Sequence, residues 1–171
     1  MRIRTLLFII LLTCASQSCS VYSFSGAATT AKTISVDPFY NNTDLGPANL
    51  GATFTNKLKD YYQQNSSLRV TESADLHIEG TVQEYRINAM APVASQTANE
   101  PSKAALSRLT IAVKVTFEDS LDPKNNFKDR MFSFYRDFDN SLNFPTIQED
   151  LEKKIFDQIL IDIFNATVAN W

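Results

Sequence analysis

Two cysteines and one histidine are the residues of this chain whose types most readily do chemistry. Cys14 and Cys19 both follow an apolar run, Leu6 to Leu12, which is itself preceded by Arg2 and Arg4. A positive head, a short apolar stretch and then small residues are the layout of an export signal. The stretch is too short to span a bilayer, which takes about 20 apolar residues. Bacterial lipoprotein signals end directly before a cysteine, which is then acylated. Cys14 lies too close to the apolar run. Cys19 follows Ser16-Gln17-Ser18, small where processing needs small residues, although Ser16 stands where Leu is more usual. Cys19 is therefore the expected lipidation site, and residues 1–18 the lipoprotein signal peptide. An ordinary secreted protein with an incidental thiol is the plainer alternative. A lone thiol is a liability in an oxidising compartment, and acylation removes it.

The other reactive residue types form no set that the spacing can identify. A His-based triad would have to use His77, and no Gly-x-Ser-x-Gly accompanies it. His77 falls on the polar side of a strand and reads as an exposed side chain. Asp137-Phe138-Asp139-Asn140 resembles the start of a calcium loop but lacks the Gly and the distal Glu, so it reads as a solvated turn. No phosphate loop, metal-spaced Cys or His set, or His-Glu-x-x-His is present. The expectation is a chain that is not an enzyme and uses no metal or cofactor. Asn41, Asn65 and Asn165 fit the short glycosylation pattern, which a bacterial lipoprotein would not use. Basic residues cluster modestly: Lys103, Arg108 and Lys114 around one strand, Lys128, Arg130 and Arg136 on the next. Such a group would suit a phosphate-bearing ligand, with scattered solubilising charge as the plainer reading.

These residues need a scaffold, and the composition allows one. The chain has 171 residues, 44% hydrophobic and 20% charged, which is a globular balance with length for one domain and a proper core. Gly is scarce, at 4, against the many turn glycines of a tight β-barrel. The formal charge of −3 gives no footprint for nucleic acid. Residues 19–31 are small and polar and read as a lipidated tether. Residues 33–39 alternate as a strand ended by Pro38, and Asn41 to Pro47 reads as a polar loop. Ala48 to Gln64 carries a helical stripe of Leu50, Phe54, Leu58 and Tyr61. Leu68 to Val70 is a short extended piece. Asp75 to Ile87 alternates and then slips near Glu84-Tyr85, which suggests a bulge.

Ala91 to Ala105 reads as a long mobile loop, of a length that is usually either functional or disordered. Leu106 to Glu118 is the clearest strand, with Leu109, Ile111, Val113, Val115 and Phe117 facing in and Arg108 and Lys114 facing out. A turn at Asp122-Pro123 leads to a returning strand, Lys128 to Phe138. Pro145 to Val168 reads as a long helix, with Thr146 and Glu149 matching a capping box. The order is β-α-β-β-β-α. The expected fold is α+β, a two-layer sandwich: a four-stranded mixed sheet, both helices on one face, the polar face open.

Segments along residues 19–171 resemble one family as a set. They are Cys19-Ser20-Val21-Tyr22-Ser23-Phe24-Ser25-Gly26, Lys32-Thr33-Ile34-Ser35-Val36, Leu76-His77-Ile78-Glu79-Gly80, Leu109-Thr110-Ile111 and the closing Phe164-Asn165-Ala166-Thr167-Val168-Ala169-Asn170-Trp171. They resemble the lipopolysaccharide-assembly lipoprotein family LptE in its Bacteroidetes form, and none of them is catalytic. The resemblance covers residues 32–171 as one LptE-like α+β domain. It implies a protein anchored in the inner leaflet of the outer membrane, facing the periplasm. It implies a plug inside the β-barrel LptD, inserting lipopolysaccharide into the outer leaflet. It also implies lipopolysaccharide binding through basic residues, for which Arg108, Lys114, Arg130, Arg136 and Lys103 are the candidates. A lipoprotein subunit of another outer-membrane assembly or secretion complex stays open as an alternative, as does a periplasmic hydrolase.

Overall fold

The computed structural model describes residues 29–90 and 106–169. Cys19, Lys103, the signal peptide, most of the tether and the 91–105 loop lie outside the described residues. Six strands and two helices are described. The strands are β1 (Thr33–Val36), β2 (Tyr40–Asn41), β3 (Arg69–Val70), β4 (Leu76–Ala89), β5 (Leu106–Asp119) and β6 (Phe127–Asp139). The helices are α1 (Leu50–Asn65) and α2 (Phe144–Thr167), the latter following β6. The strands form one mixed sheet in the order β3-β1-β4-β5-β6, with β2 also on β4. β4, β5 and β6 are the expected antiparallel meander, and β1 runs parallel to both β3 and β4. The sheet exceeds the expected four strands by two pieces, β2 and β3, of two residues each.

β2 is the piece that the sequence hides. Pro38 has no N–H to donate, so the ladder breaks after Val36. It resumes at Tyr40, which sits opposite Thr81. The break turns Phe39 inward, where its N–H donates to Thr55 Oγ1 at 2.8 Å and its ring lies 5.0 Å from that of Phe54. Two glycines make room for it. A Cβ on Gly51 would meet the Phe39 carbonyl, and one on Gly80 would meet both the Phe39 ring and the Lys114 carbonyl. These are close approaches that only glycine allows.

Two bulges set which side chains face which way. Val82 sits opposite Val113 and Glu84 opposite Ala112, so Gln83 is an extra residue on β4. That is the expected slip, one residue early. It turns Tyr85 into the core, where its hydroxyl donates to Glu152 Oε1 on α2 at 2.8 Å. The second bulge lies between Val115 and Phe117, where β6 carries the extra residue. Nearby Asp129 takes a φ of 53°, a left-handed conformation that Asp tolerates better than most residues.

Both helices cover one face and share one core with the inward residues of the sheet. Leu109, Ile111, Val113, Val115 and Phe117 are all fully buried, as their alternation predicts. The α1 stripe ends on Tyr62 rather than Tyr61. Tyr62 is fully buried because its hydroxyl has a partner on the neighbouring helix, Thr167 Oγ1 at 2.7 Å. Burial pushes the Tyr62 phenol above its usual range. On α2 the apolar stripe holds from Leu151 to Phe164, but the capping box does not form. The helix begins at Phe144, and Pro145 occupies its first turn, where a missing N–H costs nothing. Thr146 is thus already inside the helix, and its hydroxyl donates to the Asn143 carbonyl at 2.7 Å.

Candidate functional site

The face of the sheet away from the helices is the surface left for function, and register decides its residues. Ser35 and His77 sit side by side on β1 and β4, Arg108 opposite Asp137, and Lys114 opposite Met131. The charges on this face are largely paired. Arg108 forms a two-bond fork with Asp137, at 2.7 Å and 3.0 Å, and stacks 3.6 Å over the Tyr135 ring. That fork holds the Asp137 carboxyl below its usual range and raises the guanidinium. Lys114 reaches Asp129 at 3.4 Å, across the second bulge. Glu84 and Arg86 pair at 2.6 Å. Such a surface is polar but has little net positive field.

The four expected basic residues that are described, Arg108, Lys114, Arg130 and Arg136, therefore do not form one patch. Arg108 and Lys114 lie on the open face, as expected, but each already holds a carboxylate. Arg130 sits opposite Val115 and Arg136 opposite Leu109, both inward residues, so these two arginines point to the helix side of β6. They are exposed because β6 is the last strand of the sheet. Their neighbours are rings: the Arg130 guanidinium is 5.1 Å from the Phe132 ring and that of Arg136 is 5.2 Å from the Phe134 ring. Neither is within ion-pair distance of a carboxylate among the described residues. Their parity with Phe132 was the signal available in the sequence. The calcium-like run is spent otherwise: Asp137 holds Arg108, and Asp139 accepts the Ser141 N–H at 2.8 Å, which lowers its pKa.

His77 is better connected than an exposed side chain. Its Nδ1 is 2.6 Å from Ser35 Oγ, and its Nε2 is 3.7 Å from Asp37 Oδ2. Those three types make up a hydrolase triad, but Ser35 is only 5% exposed and its hydroxyl is occupied by the His77 ring. Glu79, two residues on along β4, completes the cluster. Beside it is an open depression of about 330 Å³ between β2, β4 and β5, lined by Asp37, Glu79, Lys114 and Asp129 among others. Sequence spacing missed this group because Asp37 and Glu79 come from strands joined by a helix.

Asp75 fastens the edge of the site. Its Oδ2 accepts the N–H groups of Lys32 and Thr33 and the Thr33 hydroxyl, at 3.0, 3.2 and 2.9 Å. The Asp75 N–H donates back to Thr33 Oγ1 at 2.9 Å. The Lys32 amide and then the Thr33 hydroxyl hold this carboxyl below its usual range.

No helix among the described residues is long and apolar enough to cross a membrane. No curated protein matches the chain significantly. Solved structures with a similar fold include a hypothetical protein from Chlamydia trachomatis, at TM-score 0.51 and 11% identity, covering 81% of this chain and 99% of that one. A minor lipoprotein from Acinetobacter baumannii matches at TM-score 0.46 and 13% identity, over 77% of this chain and 88% of that one. The model of the lipopolysaccharide-assembly family LptE matches residues 31–167, from the strand edge clamped by Asp75 to the end of α2. On that match the chain belongs to the LptE family.

Proposed function

We propose that this chain is an outer-membrane lipoprotein, anchored through acylated Cys19 and facing the periplasm, that seats in an LptD-like β-barrel and helps it insert lipopolysaccharide. It works by occupying and shaping its partner, not by turning over a substrate. Membership of a lipopolysaccharide-assembly family supports the reading. The observation that carries it furthest is the sheet with one face covered and the other open and polar, its arginines and Lys114 each paired with a carboxylate. A polar face suits the polar interior of a large barrel.

Within this reading the lipopolysaccharide contacts fall to Arg130 and Arg136, which have no carboxylate to give up, with Lys103 as a further candidate. Arg108 and Lys114 are better placed against the barrel wall, since their charges are already matched. Purification of the native lipoprotein from membranes, followed by mass spectrometry, tests the partner. An LptD-like barrel should come with it. A different barrel would instead place the chain in another assembly or secretion complex. The same spectrum should show an acylated Cys19. An unacylated mature N-terminus would remove the anchor from the proposal.

A further inference from the structure

We propose that Asp37, His77 and Glu79 form a binding site for a transition-metal dication, with zinc the best fit. One atom from each of the three residues lies within 4.8 Å of the other two. One imidazole nitrogen and two carboxylate oxygens are a donor set that zinc accepts, with bonds of about 2.0–2.2 Å. A cation so held separates its ligands by about 3.4 Å in tetrahedral geometry. The observed 3.7 Å between His77 Nε2 and Asp37 Oδ2 is near that edge and too long for a hydrogen bond.

The surroundings prepare the histidine for this. Ser35 Oγ contacts Nδ1 at 2.6 Å and is itself buried, so the ring is held in one orientation. Histidines that ligate metals are typically fixed through the other ring nitrogen in this way. Where Nδ1 donates to Ser35, Nε2 is the nitrogen left to bind a cation, on the side of Asp37. Those carboxylates lack a cation. Among the described residues no Lys or Arg lies within ion-pair distance of Asp37 or Glu79, and the nearby Lys114 is turned to Asp129. Two carboxylates beside an imidazole are a grouping that a dication relieves. Bound there, it would tie the exit of β1 to the start of β4. The inference rests on this geometry alone and does not depend on the barrel reading.

The test is calorimetric titration of zinc chloride into the full chain in detergent, purified without a histidine tag and freed of metal by chelator. One saturable equivalent should bind, and zinc should raise the melting temperature through mass action. His77→Ala, Asp37→Asn and Glu79→Gln should each weaken binding by about tenfold or more, and Ser35→Ala by about tenfold. His77 is the only histidine, so a single imidazole resonance should shift with zinc. Magnesium should not compete, because it keeps an octahedral shell of oxygen and water. Failure to saturate below roughly 100 μM, a weak affinity of about −5.5 kcal/mol, would overturn the site. So would unchanged binding in His77→Ala, or equal competition by magnesium, which would mark only an acidic surface.

Discussion

Single side chains here act mainly by joining distant pieces of chain. Asp75 is one case. Its carboxyl is held below the usual range by donors on β1, so the native state favours the ionised form. That contribution is present above the unfolded-state pKa of about 3.9 and is lost as pH falls through the lower native value. Asp75→Asn should therefore flatten the acid side of a plot of melting temperature against pH. A variant whose acid limb matches the parent's would show that the clamp carries no linkage. Gly80 is another case. Gly80→Ala pushes a methyl into the Lys114 carbonyl and the Phe39 ring, and should cost about 1–3 kcal/mol by denaturant unfolding. The Arg108–Asp137 fork is short but partly exposed, so a double-mutant cycle should return only a weak coupling, smaller still at high salt. Reversing Arg108 to Glu would set it against Asp137, so it is not a neutral probe of binding.

At the scale of elements, the long periodic segments were legible and the short ones were not. β5 and the α2 stripe follow directly from alternation and from the 3.6-residue period. The bulge in β4 showed as a slip because Tyr85 is apolar on the wrong parity. β2 left no such trace, since two residues carry no period and Pro38 looked like a stop. The capping box misled because Thr146-x-x-Glu149 is a local pattern. Pro145, one residue earlier, already belonged in the helix. Tyr61 and Tyr62 could not be told apart from α1 alone, because the choice lies in Thr167, 105 residues away in sequence. The Asp37–His77–Glu79 group was illegible for the same reason, its members meeting only where β1 runs beside β4. Tyr62→Phe should cost about 1 kcal/mol, the worth of one hydrogen bond. Ile155 is fully buried mid-stripe, so Ile155→Asp should cost about 3–5 kcal/mol by leaving a buried charge unpaired. Parent-like melting of that variant would mean α2 does not pack along the sheet.

For the whole molecule, the division of charge decides how it meets its surroundings. Arg130→Glu with Arg136→Glu should leave the fold intact, since exposed substitutions shift stability by about half a kcal/mol. The pair should weaken lipopolysaccharide binding, most at low salt, where screening is least. Parent-like affinity across a salt series would move that contact elsewhere. The position of β6 has a separate consequence. It is 13 residues long and ends the sheet, with no strand on its outer side among the described residues. An uncovered edge of that length is a template on which a second copy could add its own β6. Two copies paired antiparallel about Ser133 would set Arg130 against Arg136 and Asp129 against Asp137. In that register the edge opposes self-assembly, and Arg136→Asp, which turns both arginine pairs into ion pairs without touching the Arg108–Asp137 fork, should weaken that opposition, seen as added dimer in sedimentation.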